Sequence, residues 1–275
     1  MELFKNNQDQ VLRSSSGNIM TRPYDFGNAF VNQGDNYIQV NREFSQYLNL
    51  YMWYYDYNSV PGAGGNTYLW EALNANSDVI SCNYSTVSSG GTFAVGLNNT
   101  GTGNSVSKLI QTSSLNQRGF RNGVILIKVI LTEGGMNRLR FNYATEYVYN
   151  QTVENKVELS QIGFGKVTTN YNRTELIRLN RIMLFNRELS EVEYRYLYNN
   201  RLGRDLLSKD GLLLDLHNNR AEILDFSEEQ DGSDTRVGIR DFSGNNYHGE
   251  IMNLPAGTLE EQLSYANVNL FKSFL

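Results

Sequence analysis

The chain has 275 residues, enough for one large domain or two small ones, and its 40% hydrophobic, 12% aromatic and 19% charged residues set it apart from disordered chains. The longest apolar run, Val124–Leu131, is broken by Lys128, so a membrane-spanning helix, which needs about 18 apolar residues, is excluded. The net charge of −5 is uneven, with 19 basic and 16 acidic side chains in residues 1–204 against 5 and 13 in residues 205–275, and no basic stripe of the kind that releases counterions from nucleic acid.

Residues 1–28 are polar, lack the apolar core of an export signal, and read as an N-terminal arm that orders against a neighbouring subunit. Ala29–Val40 places two apolar alternations around Gly34-Asp35-Asn36, a hairpin or a strand corner. Leu48–Tyr57 is apolar or aromatic on both faces, the mark of a central strand. Pro61–Gly65 is a glycine-rich loop, and the Ser/Thr/Gly/Asn run of Ser85–Gly103 reads as exposed loop around one strand, Thr92–Leu97. Strands are expected at Val124–Thr132, Arg138–Tyr149 and Val157–Val167. Ser190-Glu191-Val192-Glu193 is a capping box and Gly203 a C-terminal cap, predicting a helix over 191–202; Thr258-Leu259-Glu260-Glu261 predicts a second, short one. Between them Gly211–Leu216 and Val237–Arg240 read as strands, and Asp241–Asn246 as an Asx-rich turn.

Three segments resemble the laminin-G-like, concanavalin-A-like lectin family: AFVNQGDNYIQV with NLYMWYYDY, IMLFNRELSEVE at Ile182–Glu193, and, after the closing helix instead of before the opening strands, GLLLDL with VGIRDFSGNNYHGEIMNL. The resemblance implies an all-β fold, an antiparallel jelly-roll β-sandwich with one or two short helices. It divides the chain into the arm, a jelly roll over 29–204, and an acidic segment over 205–275 that completes the sandwich or pairs with a neighbouring subunit. Trp53 aligns with the family's strand tryptophan and is expected in the core.

The same sandwich serves retaining glucanases, which need two carboxylates on one strand face about 5 Å apart. Glu222, Asp225 and Glu228 are spaced by three, which puts Asp225 on the opposite face, and Glu146, Glu154 and Glu158 are isolated. His217 and His248 sit in turn contexts and read as surface imidazoles, Cys82 as a buried small hydrophobe, and no serine lies in a Gly-x-Ser-x-Gly elbow. No catalytic residue is therefore assigned, and no cofactor is expected unless calcium, the family's accessory ion. The acidic loop Glu228–Asp234 lacks an EF-hand register and reads first as solvated, with Asp231 and Asp234 the candidate ligands. For sugar binding an exposed aromatic face is needed with planar hydrogen-bonding partners around it; Tyr57, Tyr68 and Trp70, flanking the glycine-rich loop, are the candidates.

A lectin-like sandwich without export signal or disulfide, rich in Asn, Tyr and Gly, fits a bacteriophage virion protein in a tail, baseplate, fibre or capsid decoration. Its expected location is the virion, after synthesis in the host cytoplasm. Its expected partners are other virion proteins, copies of itself and host-surface glycan, not nucleic acid or a membrane. A stand-alone bacterial carbohydrate-binding protein is the alternative, and a glycan-cleaving enzyme the third reading.

Overall fold

The computed structural model describes residues 11–13, 19–21, 29–31, 36–44, 48–56, 65–74, 79–87, 92–99, 104–111, 124–131, 137–141, 147–149, 159–164, 177–198, 205–267 and 271–272. In chain order the strands are β1 (Val11–Arg13), β2 (Ile19–Thr21), β3 (Ala29–Val31), β4 (Tyr37–Val40), β5 (Leu48–Asp56), β6 (Gly65–Asn74), β7 (Val79–Val87), β8 (Thr92–Asn99) and β9 (Asn104–Gln111). They continue with β10 (Val124–Leu131), β11 (Asn137–Phe141), β12 (Tyr147–Tyr149), β13 (Leu159–Phe164), β14 (Ile177–Phe185), β15 (Leu212–Asp225), β16 (Thr235–Asp241), β17 (Gly249–Met252) and β18 (Phe271–Lys272). Two short helices, Glu191–Tyr198 and Leu259–Tyr265, complete the described elements. Every strand pairing is antiparallel, so the all-β expectation holds. No helix among the described residues is long and apolar enough to cross a membrane.

Apart from the β1–β2 hairpin, the strands join one curled sheet in the order β12-β11-β10-β5-β14-β15-β16-β17-β4-β13-β6-β7-β8-β9, with β3 attached at β14 and β18 at β3. Strands from the first three-quarters of the chain thus fall into two groups, and β15–β17 form the only described ladder between them. The long strand β15 makes the connection. Its first part pairs with β14 through Leu214↔Leu184 and Leu216↔Ile182, its second with β16 through Ala221↔Ile239 and Asp225↔Thr235, and its register shifts between Leu216 and Ala221. Such an irregularity bends a strand and lets it leave one direction of the sheet for another.

The central-strand reading of Leu48–Tyr57 follows from packing on both faces. β5 lies between β10 and β14, and Leu50, Tyr51 and Met52 are all fully buried. On one face Tyr51, Leu126, Met183, Phe185 and Leu212 receive Leu189, Tyr194, Leu197 and Tyr198 from the first helix and its approach. On the other, Leu50, Met52, Ile182, Leu184, Leu214 and Leu216 are buried, as are Ile38, Val40, Ile162, Phe164, Val237, Ile239 and Ile251 further along the sheet. Fully burying one such side chain is worth about 1.5–3 kcal/mol before chain entropy is charged against it.

Both capping boxes form. Ser190 Oγ accepts from Glu193 N–H at 3.3 Å while the Glu193 carboxylate accepts from Ser190 N–H at 2.8 Å, and Thr258 and Glu261 repeat the exchange. Several expectations are corrected. Of the hairpin and strand-corner readings of Ala29–Val40 only the hairpin is excluded, because β3 pairs with β14 and β18 whereas β4 pairs with β13 and β17. Arg138–Tyr149 is two strands, β11 and β12, paired with each other. The Ser85–Gly103 run is mostly strand: β7, β8 and β9 pair in sequence as a meander. The first helix is described only to Tyr198, and residues 199–204, Gly203 among them, lie outside the described residues, as do residues 1–10 of the arm.

Candidate functional site

Side chains are described at residues 36–44, 49–52, 126, 128, 130, 138, 140, 161–164, 181–198, 205–217 and 220–267. Among them the densest polar cluster lies where β14, β15 and β16 meet. Arg181 and Asp215 are both buried, and the guanidinium grips the carboxylate with two bonds, Nε to Oδ1 at 2.8 Å and an η nitrogen to Oδ2 at 2.6 Å. The other η nitrogen reaches Asp205 Oδ1 at 3.0 Å, at the half-exposed rim. Burial pushes the Asp215 carboxyl upward, but the close approach of the His217 ring and the two hydrogen bonds from Arg181 outweigh it and hold it below the usual carboxylate range.

Asp241, on β16, ties the following turn to this pair. Its Oδ1 accepts from the N–H groups of Asp215 and Ser243, both at 2.9 Å, and its Oδ2 from Ser243 Oγ at 2.7 Å and Tyr247 N–H at 3.0 Å. This explains the DFSGNNYHG segment chemically: an aspartate bonding backbone two and six residues on shapes an Asx-rich turn, and Asn245 Nδ2 donates to the Leu212 and Leu213 carbonyls. Both histidines depart from the surface reading. His248 is buried, its Nδ1 accepts from Asp241 N–H at 3.1 Å, its ring meets Phe226 edge-on, and burial lowers its pKa. His217 stacks on Phe242 at 4.2 Å, with Nδ1 3.0 Å from Asp215 Oδ1 but off the angle of a good hydrogen bond. A histidine in a short polar stretch reads as exposed; only the fold places these two against aromatic rings.

A second cluster joins the first helix to the sheet. Lys128 and Arg140 are cross-strand partners on β10 and β11, with Arg138 two residues along. Lys128 Nζ lies 2.6 Å from Glu188 Oε1, Arg138 donates to Glu188 Oε2, and Arg140 pairs with Glu191 at 2.8 Å while lying 4.6 Å from the Tyr194 ring centre. The helix's acidic entry therefore sits on a basic strip of the sheet, and Arg187 and Glu193 clamp its first turn at 2.6 Å. Hydrogen bonding to Arg187 holds the Glu193 carboxyl at a pKa of about 2.

The acidic loop is organised around Asp225, which its spacing had brought forward only as a failed catalytic acid. Its Oδ1 accepts from Ser227 N–H at 2.8 Å and from Ser227 Oγ, and its Oδ2 from Gly232 N–H at 2.6 Å. Of the candidate calcium ligands, Asp234 is engaged through both oxygens by Arg236, which also reaches Glu250 at 2.6 Å, and Asp231 caps Ser233 N–H at 2.9 Å. Among the described residues no three His, Cys, Asp or Glu side chains converge as metal ligands would.

Of the proposed sugar platform, Tyr57 lies outside the described residues. Tyr68 and Trp70 are on β6 but fall on opposite sides of a register shift: Tyr68 stands opposite Asn83 and Trp70 opposite Cys82, with Leu69 the extra residue. Neighbouring residues of β7 belong to opposite faces, so the two aromatics do not share one. Trp70 also stands opposite the fully buried Phe164, which assigns its position to the core face.

No family model matches the chain, and no curated protein matches it. Among solved structures it is similar to the receptor-binding domain of botulinum neurotoxin D, at 14% identity and a TM-score of 0.47 over 71% of this chain and 53% of that one. It is also similar to a botulinum neurotoxin type C structure whose title describes cell entry dependent upon two ganglioside molecules, at 11% identity and 0.45 over 86% and 56%. A third is the receptor-binding domain of a C/D mosaic serotype, at 11% and 0.42 over 98% and 69%. The chain spans about half the length of the first of these, and a likeness of this degree carries no argument about function.

Proposed function

We propose that this chain is a passive docking module: a virion structural protein whose curled sheet is a concanavalin-A-like jelly roll that packs against copies of itself and other particle proteins and contacts host-surface glycan. The observation that carries the non-enzymatic part is the state of the two buried acids among the described residues. Asp215 is held in a two-bond arginine clamp and Asp241 accepts from four donors, so both serve the scaffold instead of standing ready to exchange a proton. The virion part rests on the sequence: a resemblance to a lectin family in a chain rich in Asn, Tyr and Gly. Three measurements on the full chain separate the readings. A virion component forms a defined oligomer by light scattering and occurs in purified particles by mass spectrometry. A monomer retained on a glycan array, found in no particle, replaces this with a stand-alone lectin, and release of reducing ends from a polysaccharide replaces it with an enzyme.

A further inference from the structure

The chain has two histidines, and both bear on the seam between β15 and β16. His217 stands beside Asp215, His248 beside Asp241, and the Asp215 N–H bonded to Asp241 Oδ1 joins the two acids. The rings are held in opposite ways. His217 Nδ1 lies 3.0 Å from a carboxylate oxygen, so a proton there sets a cation beside an anion. His248 Nδ1 instead accepts from the Asp241 N–H at 3.1 Å, a bond open only to a ring with no proton on that nitrogen. Charging this buried ring turns two N–H groups on one another, and the Asp241 carboxylate that could answer the charge is already engaged by four donors. The bond fastens the turn 242–248. Ser243 Oγ donates to the Leu213 carbonyl at 3.1 Å, Asn245 Nδ2 reaches the same carbonyl at 2.9 Å, and Tyr247 meets the buried Phe44 edge-on at 6.0 Å.

From this geometry we infer that His248 is an acid-operated latch: a proton on Nδ1 breaks the bond from the Asp241 N–H and releases the turn 242–248 from β15 and Phe44, while the strands on either side stay paired. The inference goes beyond the docking function and does not depend on it. The strands have their own hold, since the Arg181 clamp on Asp215 and the buried Leu184, Leu214, Leu216 and Ile239 owe nothing to the charge of the ring. Burial has the largest influence on the imidazole and keeps it neutral, and the Asp241 charge opposes that. Of the other charged groups that bear on it, Arg240 of β16 and Glu222 of β15 bind each other at 2.5 Å and act with opposite signs, and Asp225 is taken by Ser227 and Gly232. On the adjoining elements Glu250 of β17 is bound by Arg236 at 2.6 Å, and Arg42, just past β4, lies over the Tyr247 ring. The imidazole is left as the group whose charge state decides the bond.

The test is hydrogen–deuterium exchange of the full chain, followed peptide by peptide between pH 7 and pH 5 and corrected for the intrinsic pH dependence of amide exchange. Peptides covering 241–249 should lose protection by up to about tenfold per pH unit once the pH falls below about 6.5, the ordinary histidine value, while peptides covering 182–185 keep theirs. His248→Asn retains an acceptor for the Asp241 N–H but takes up no proton, so its turn should stay protected across the range. His248→Ala lacks the acceptor and should expose the turn at every pH; if that variant does not fold, the comparison of wild type with His248→Asn decides alone. His217→Gln should leave the response in place. A wild-type turn equally protected at both ends of the range overturns the inference. So does an acid response that survives in His248→Asn, which assigns it to the surrounding carboxylates, or one abolished by His217→Gln, which assigns it to the other ring. Protection lost equally over 182–185 and 241–249 also sinks it, because the ring then governs the whole fold and not the turn.

Discussion

The Arg181–Asp215 pair shows how a buried charge acts at the scale of one residue. Desolvating both groups costs several kcal/mol, and the two-bond geometry offsets that cost only while both partners remain. Arg181→Met should therefore destabilise the fold by about 3–5 kcal/mol, whereas Arg181→Met with Asp215→Leu should recover most of that loss. Urea unfolding of the two variants checks this, and equal losses would mean the clamp does more than neutralise. His248 supplies a pH dependence with a definite sign. Its folded-state pKa is lowered, so the neutral ring is favoured in the fold, and the stability this brings is present above the unfolded value, about 6.5, and lost as pH falls below it. The melting temperature should drop from pH 7 to pH 5, and His248→Gln should flatten that slope. Little of this was legible beforehand. The Asx turn begun by Asp241 was readable because Ser243 and Tyr247 lie close in sequence, but its bond from the Asp215 N–H and the Arg181 clamp on Asp215 span 26 and 34 residues and left no local mark.

At the scale of elements, the two helices carry the same cap and differ in what they bury. The helix Glu191–Tyr198 sinks Tyr194, Leu197 and Tyr198 into the core, while Leu259–Tyr265 has no buried residue. Removing a capping oxygen costs about 1 kcal/mol in either place. Ser190→Ala should lower global stability by that amount, whereas Thr258→Ala should melt its helix locally, seen as faster amide exchange over 259–265 with an unchanged global midpoint. Because Arg187 holds Glu193 at a pKa of about 2, the clamp's stabilisation is complete above the ordinary glutamate range and disappears as pH falls from about 4.5 toward 2. These caps were readable because they are local, as was β5, whose apolar residues on both faces announce a central strand. The meander was not. Rows of Ser, Asn, Thr and Gly carry loop chemistry in sequence, and only the apolar residues alternating with them, Cys82, Tyr84, Phe93, Val95 and Leu97, mark β7 and β8 as strands. Gly211 marks another local constraint. With φ of +72° it sits where a side chain would strike Asn186, and its carbonyl accepts from Asn186 N–H at 2.9 Å, fixing the approach of β15 to β14.

For the whole molecule the decisive element is β15. It was legible as two fragments: Gly211–Leu216 as a strand, and Glu222, Asp225 and Glu228 as an acid set that fails on spacing. That they form one strand depends on partners on either side, β14 and β16, which no local pattern names. Removing residues 205–275 should leave β14 with a bare apolar edge and yield insoluble protein, and supplying 205–275 as a separate polypeptide during refolding should restore solubility. Sedimentation of the refolded mixture measures the outcome; a soluble truncated chain would show that β14 does not need this cover.

The position of β15 in the chain also bears on biosynthesis. The strand that stitches the two groups together is encoded after both, so at roughly 5–20 residues per second a ribosome releases β14 several seconds before its partner arrives. During that interval nearly all the hydrophobic strands are outside the tunnel with no complete interior to enter. Newly made chains are then at their most vulnerable to sticking to one another, and slow translation across the codons for residues 205–275 should lower the yield of native protein more than an equal delay placed earlier.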